Sequence, residues 1–326
     1  MVSVLDQYVA LQEEASNKYG VPVITSLRGY ESVVDGFMEE VDFLEGGGKR
    51  AGRPGKLASR RRRIGKGCVG RIESTVMDKG EALRLKHILG AFSGPSGGTA
   101  KTYVFTANSD GPAGSYTAVV ARYSTAGSLT YWQYTGLIPT AWSLNAEESG
   151  LVTLGIDYNG QAEAVLNSAP AAPAYPGTEM LTYEGCTITV AGKAVAGVKS
   201  FSFDVDLMLD VDRYFLQGRS TKDKPLRSGV PTYTGTVTAE FADRSQYDLF
   251  ASGEYFALVF KAVGTKEIET GKPPSLTLEL NTCQYTGQTP QAPEDGIATL
   301  DLSFEALANS SNQICKLTYV TADAAF

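Results

Sequence analysis

The stretch Phe201-Ser202-Phe203-Asp204-Val205-Asp206-Leu207-Met208-Leu209-Asp210-Val211-Asp212 alternates apolar and polar residues along its length, with Met208 the one apolar residue among the even positions. Side chains alternate across a strand, so period two puts Phe201, Phe203, Val205, Leu207, Leu209 and Val211 on one face. The carboxylates share the other face, and because like charges repel, that face must be wet. The reading predicts a strand over 201–212 in an antiparallel sheet with one buried side. Other segments follow the same rule. Val237, Ala239 and Phe241 oppose Thr238 and Glu240, and Leu276, Leu278 and Leu280 oppose Thr277 and Glu279. Leu300, Leu302 and Phe304 oppose Asp301, Ser303 and Glu305, while Val152, Leu154 and Ile156 oppose Thr153 and Asp157.

The strands recur in two similar halves. Gly70-Arg71-Ile72 through Asp78-Lys79 reads like Gly235-Thr236-Val237 through Asp243-Arg244. Each copy is an alternating strand, then Asp with a basic residue, then a helical stretch, expected over 80–89 and 245–251. An Asp at the strand end is expected to cap the helix through its backbone N–H groups. Tyr134-Thr135-Gly136 with Pro139 precedes the Gly150–Tyr158 strand, as Tyr285-Thr286-Gly287 with Pro290 precedes the Gly296–Phe304 strand. Matches that keep their order signal a duplication. Residues 167–179 are rich in Pro and Ala, which makes a stiff, extended linker. The expected organisation is a first domain over 1–166, a linker over 167–179 and a second domain over 180–326. The fold class is mainly β with short helices: two tandem antiparallel β-sandwich or barrel domains, each with one packed helix.

Composition narrows the function. The 326 residues carry a formal net charge of −7, which argues against a general nucleic-acid binder. Residues 1–90 hold 15 Lys and Arg against 12 Asp and Glu, whereas 91–326 hold 14 against 24. Cys68, Cys186, Cys283 and Cys315 form no CxxC, so free buried thiols are expected and a zinc site is not. No apolar run approaches the ~20 residues needed to span a bilayer, and no membrane partner is expected. The sole histidine, His87, falls in a predicted helix, where packing is the ordinary role. No catalytic or nucleotide-binding motif is present, and no cofactor is implied. Carboxylates two apart on one open strand face lack the separate environments that glycosidase acids need.

One segment is strongly basic. Lys49, Arg50, Arg53, Lys56, Arg60, Arg61, Arg62, Arg63 and Lys66 lie among glycines with no acid between 49 and 66. This reads as a long loop or arm over 46–67. It can grip phosphates, or it can dock on the acidic surface of a neighbouring copy. The acidic remainder of the chain favours the second reading.

Lys18-Tyr19-Gly20, Arg50-Ala51-Gly52-Arg53, the Gly70–Asp78 strand with its helix, Trp142-Ser143-Leu144 and Tyr233-Thr234-Gly235 form a pattern across nearly the whole chain. In this the chain resembles the tail tube proteins (major tail proteins) of siphophages, in a tandem-domain form. The resemblance implies a non-enzymatic virion subunit, assembled in the host cytoplasm, that polymerises as stacked rings. Strands from each domain would join into one inner barrel, with helices outside and a long loop reaching between rings. Implied partners are sister copies, the tape measure protein, and the tail terminator and distal tail proteins. Double-stranded DNA would pass without specific binding. Four strands from each of six domains would make a barrel of roughly 24, wide enough for a duplex. An acidic lining avoids trapping phosphate, so Asp204, Asp206 and Glu240 are expected to face the lumen, and the basic segment to serve as the inter-ring loop. Two domains per chain favour three chains per ring, with six as the alternative. A different reading is a tandem sandwich that binds carbohydrate or a receptor, or decorates a virion. Trp132 and Trp142 would then be the candidate platforms, although Trp142 alternates with Leu144 and is expected to pack.

Overall fold

Alternation of Phe201, Phe203 and Val205 with Ser202, Asp204 and Asp206 builds a strand with one buried and one wet face, and this plan repeats through the molecule. The computed structural model describes residues 4–47, 50–52, 54–108, 111–216, 219–241, 244–286, 298–311 and 313–323. The first half holds β1 (Tyr8–Glu13), β2 (Arg28–Tyr30), β3 (Ser32–Asp35), β4 (Met38–Glu45) and β5 (Arg61–Thr75). Helix α1 (Ala82–Leu89) follows, then β6 (Gly90–Ser96), β7 (Lys101–Ala107), β8 (Tyr116–Ser124), β9 (Ser128–Glu147), β10 (Thr153–Gly160) and β11 (Ala162–Leu166). The second half holds β12 (Cys186–Val190), β13 (Lys193–Ala194), β14 (Val198–Asp206), β15 (Leu209–Asp210), β16 (Leu226–Arg227) and β17 (Thr232–Glu240). Helix α2 (Ser245–Ser252) precedes β18 (Phe256–Val263), β19 (Ser275–Tyr285), β20 (Thr299–Ala306) and β21 (Cys315–Thr321). The fold is mainly β, as the alternation implies.

One antiparallel sheet runs through both halves. Its first quartet has the order β4–β5–β10–β9, with β3 continuing the edge beside β5. Its second quartet has the order β14–β17–β20–β19, the last over Cys283–Tyr285. The two join where β9 pairs with β14, from Ser200 opposite Glu147 to Asp206 opposite Ala141. A second layer, β6–β7–β21–β19–β18–β12, also crosses the halves, because β21 lies between β19 and β7. A side sheet, β2–β1–β8–β9–β11, extends the first half and shares the long, bent β9. One hydrophobic cluster fills the space between these layers and draws on both halves.

The helices differ in how deeply they pack. Seven of the eight residues of α1 are buried, including Arg84, which pairs with the buried Glu81 beneath the Tyr30 ring. In α2 no residue is fully buried, and Leu249 and Phe250 rest partly covered on the core. The strand-end Asp78 caps neither helix. Its carboxylate accepts the Thr178 N–H at 2.7 Å, the Thr178 hydroxyl at 2.7 Å and the Glu179 N–H at 3.0 Å, which ties the linker to the first half. Burial works against that charge, but the hydrogen bonds from Thr178 and Glu179 outweigh it and hold the Asp78 pKa below its ordinary value. Asp243, the matching residue, lies outside the described residues, as do Gly287–Pro290 and Gly296 of the repeat.

The 201–212 strand is shorter than its alternation suggests. It ends at Asp206, whose Oδ1 accepts the Met208 N–H at 2.8 Å, and Met208 takes φ 49°. A local Asx turn here competes successfully with the sheet ladder, which alternation alone does not register. The C-terminal stretch Cys315–Thr321 is a strand wedged between β19 and β7.

Across the β9–β14 joint, Trp142 meets Phe203 edge-on at 5.5 Å, and Phe203 stacks on Phe304 at 6.3 Å. Trp142→Ala removes the largest buried side chain at the joint. It is expected to cost about 3–5 kcal/mol and to lower one cooperative unfolding transition shared by both halves, measured by chemical denaturation.

Candidate functional site

Register places the polar face of the long sheet in rows. One row runs Glu73, Gly155, Ser143, Asp204, Thr234, Glu305 across six strands. The next runs Arg71, Asp157, Ala141, Asp206, Thr232. Further along lie Glu147, Ser200, Thr238 and Asp301, and then Glu240 opposite Thr299. Asp204 and Asp206 are exposed and Glu240 is half-buried, so all three share this one wet face. The face is otherwise paved with Ser and Thr, short side chains that leave it smooth. Thr238 donates its hydroxyl to Asp301 at 2.8 Å.

Arg71 and Lys199 lie among these acids. Arg71 lies flat on the first quartet. Its guanidinium donates to Asp157 at 2.8 Å, to Glu73 at 3.2 Å and to Ser143 Oγ at 3.1 Å. Gly155 makes room for it, since a Cβ there would come within 2.4 Å of the guanidinium. Lys199 pairs with Glu240 at 3.5 Å. Neither is left to attract phosphate as a free charge. Burial raises the Asp204 carboxyl above its ordinary pKa, and the nearby Arg71 charge partly draws it back. Arg71 alternates with Ile72 in the sequence, so period two places it on this face, but only the register brings Asp157 and Ser143 to it.

The basic segment is a hairpin more than a loop. Arg50 and Lys56 lie in the connection between β4 and β5, and Arg60 ends a short 3-10 turn there. Arg61, Arg62, Arg63 and Lys66 are part of β5. Lys49 and Arg53 lie outside the described residues. Although 49–66 contain no acid, β4 alongside supplies them. Glu45 pairs with Lys56, and with Arg61 at 3.5 Å, while Glu39 pairs with Arg63. Arg50, Arg60 and Arg62 have no acidic partner among the described residues.

The sites of other chemistry resolve as packing. His87 is buried with its ring stacked 3.6 Å from that of Tyr116, and burial holds its pKa well below the ordinary histidine value, so it is neutral. All four cysteines are free, and burial raises the Cys315 thiol to about 12. Trp142 is 1% exposed and offers no platform, and Trp132 is half-covered with the Arg122 guanidinium 5.0 Å from its ring. No cluster of His, Cys, Asp or Glu suited to a metal ion occurs among the described residues.

The sheet has one apolar and one acidic, Ser- and Thr-rich face, and among the described residues its outer strands are paired on one side, the arrangement of a structural protein more than of a catalytic one. The family model for phage tail tube proteins matches residues 50–308, and the chain belongs to that family. A search among curated proteins found no match. The chain is therefore a structural subunit of a phage tail tube, and its place is the virion tail. No helix among the described residues is long and apolar enough to cross a membrane.

Because the folded Asp204 pKa is raised, its charged form costs stability above that pKa, and the cost disappears as falling pH protonates it. Asp204→Asn is therefore expected to leave the neutral-pH melting temperature unchanged or slightly higher, measured by calorimetry at pH 7 and pH 4, with less benefit at the lower pH.

Proposed function

We propose that this chain carries two tube modules side by side and that three copies close into a ring. The carrying observation is the β9–β14 joint. It unites two quartets of identical strand order, and its geometry supplies a template for the joint between copies. Among the described residues the edge at β3 and β4 pairs only with β5. At the far end, β20 meets β19 only over its last three residues among the described ones. Open edges invite strand pairing, and ring closure removes them. Three such sheets would give roughly 24 strands, a bore of suitable width for a duplex.

In this reading the acidic face, with Asp204, Asp206 and Glu240, lines the bore. Like charge weakens adsorption of DNA, and paired Arg71 and Lys199 leave little to hold it. The basic hairpin reaches toward the adjacent ring. The tape measure protein occupies the bore before ejection, and terminator and distal tail proteins finish the two ends. The buried Trp142 and half-covered Trp132 weigh against the carbohydrate-binding alternative.

Two measurements test this. Averaged electron micrographs of tubes are expected to show three-fold subunit identity with a six-fold pseudo-repeat, and six identical subunits per ring would refute the trimer. Phage carrying Asp204→Asn with Asp206→Asn are expected to assemble tails of normal length but eject DNA more slowly. Unchanged ejection would remove the support for an acidic bore.

A further inference from the structure

At the Asp206 end of the β9–β14 joint, the wet face carries a cleft of about 580 Å³. Its floor is sheet: Val69 and Arg71 from β5, Asp157 and Asn159 from β10, and Ala141 from β9. Its far wall is the connection that follows β14, which brings Met208, Leu209 and Val211 alongside. Hydrogen bonds fix that wall. The Leu207 N–H donates to Thr140 O at 2.9 Å, the Ser228 hydroxyl donates to Met208 O at 3.0 Å, and β15 pairs with β16. Further along, the buried Lys222 pairs with Asp212 of the same connection and with Glu40 of β4.

Two features give the cleft a use. Asn159 is 5% exposed, yet its Oδ1 meets no hydrogen-bond donor. A buried acceptor left unpaired costs free energy, and an N–H from a ligand satisfies it. Period two sets Asn159 on the Asp157 side of β10, the side that floors the cleft. The other feature is charge. Arg71 is committed to Asp157 at 2.8 Å and to Glu73 at 3.2 Å. Among the described residues Asp206 accepts the Met208 N–H at 2.8 Å and pairs with no cation. The lining therefore holds one carboxylate more than it holds cations.

Register fixes the shape of the occupant. Asp157 and Asp206 both lie opposite Ala141, one on each side of β9. Two strand spacings separate them, roughly 10 Å. Each is held on its own side, Asp157 by Arg71 and Asp206 by its turn, so a single metal ion does not bridge them. The small Ala141 side chain leaves a trough between the two, and Leu209 and Val211 give the cleft an apolar flank. Methylene groups bury favourably there.

We infer that this cleft binds a linear aliphatic diamine laid across β10, β9 and β14. One ammonium sits at Asp206, and the other donates to Asn159 Oδ1 with the Asp157 carboxylate beside it. Charge-assisted hydrogen bonds hold the two ends, and the trough over Ala141 takes the alkyl chain. Both halves of the chain build the site, which is complete within one molecule and does not depend on how copies assemble.

Calorimetric titration of the full chain with 1,4-diaminobutane at low salt tests this, with butylamine and magnesium chloride as controls. The expected result is one saturable site per chain, with butylamine, which can satisfy only one end, about tenfold weaker. Asp206→Asn keeps an oxygen for the Met208 N–H and removes the charge, so it is expected to weaken the diamine about tenfold at an unchanged melting temperature. Ala141→Leu fills the trough and is expected to do the same; should that variant not fold, Asp206→Asn alone decides. Equal affinity in the wild type and Asp206→Asn would overturn the inference, as would the absence of a saturable site. Butylamine binding as tightly as the diamine would reduce the site to a seat for any single ammonium, a lysine side chain included. Magnesium displacing the diamine at equal charge would reduce it to general screening. Either result would also overturn it.

Discussion

Backbone pairing between β9 and β14 is the interaction on which the rest of the molecule depends. A strand edge carries unpaired N–H and C=O groups, and each must find a partner or water. Here the last strand of one quartet and the first strand of the next satisfy each other over Ala141–Glu147 and Ser200–Asp206. The pleat then decides everything else at the joint. Trp142, Leu144, Phe203 and Val205 go inward to the shared core, while Ser143, Asn145, Asp204 and Asp206 go outward. The pairing of β21 with β7 repeats the link in the second layer, so the halves are stitched twice.

Charge is sorted by the same alternation. Acids collect on the wet face because a two-residue period gives them nowhere else to go. On the first quartet's face Arg71 is held by Asp157, Glu73 and Ser143 and adds no free positive charge there. Across the molecule, the hairpin cations are partly answered by β4 carboxylates. Exposed pairs of this kind are worth little in stability, about 0–1 kcal/mol each.

The fold class was legible because alternation is a local signal. The faces of Phe201–Asp206, Thr232–Glu240 and Thr299–Ala306 follow from residue order alone, and so does the acidic character of Asp204, Asp206 and Glu240. Helices at 82–89 and 245–252 fall within one or two residues of their expected spans. The misread places are those where a local side chain intervenes. Asp206 turns the chain at Met208, and Asp78 chooses the linker over the helix end. The basic stretch looked like a bare loop because the acids that pair with it sit on the preceding strand.

What the sequence by itself determined is the two-faced character of each strand, since side-chain direction follows from position along a pleated chain. Its repeat also implied that the plan occurs twice. Only the tertiary structure decided which strands are neighbours, because pairs such as Asp204 with Ser143 or Lys222 with Glu40 are separated by long stretches of chain. No local pattern encodes such partners. They are selected by the collective fit of buried faces and paired backbone groups, and those choices made the halves continuous.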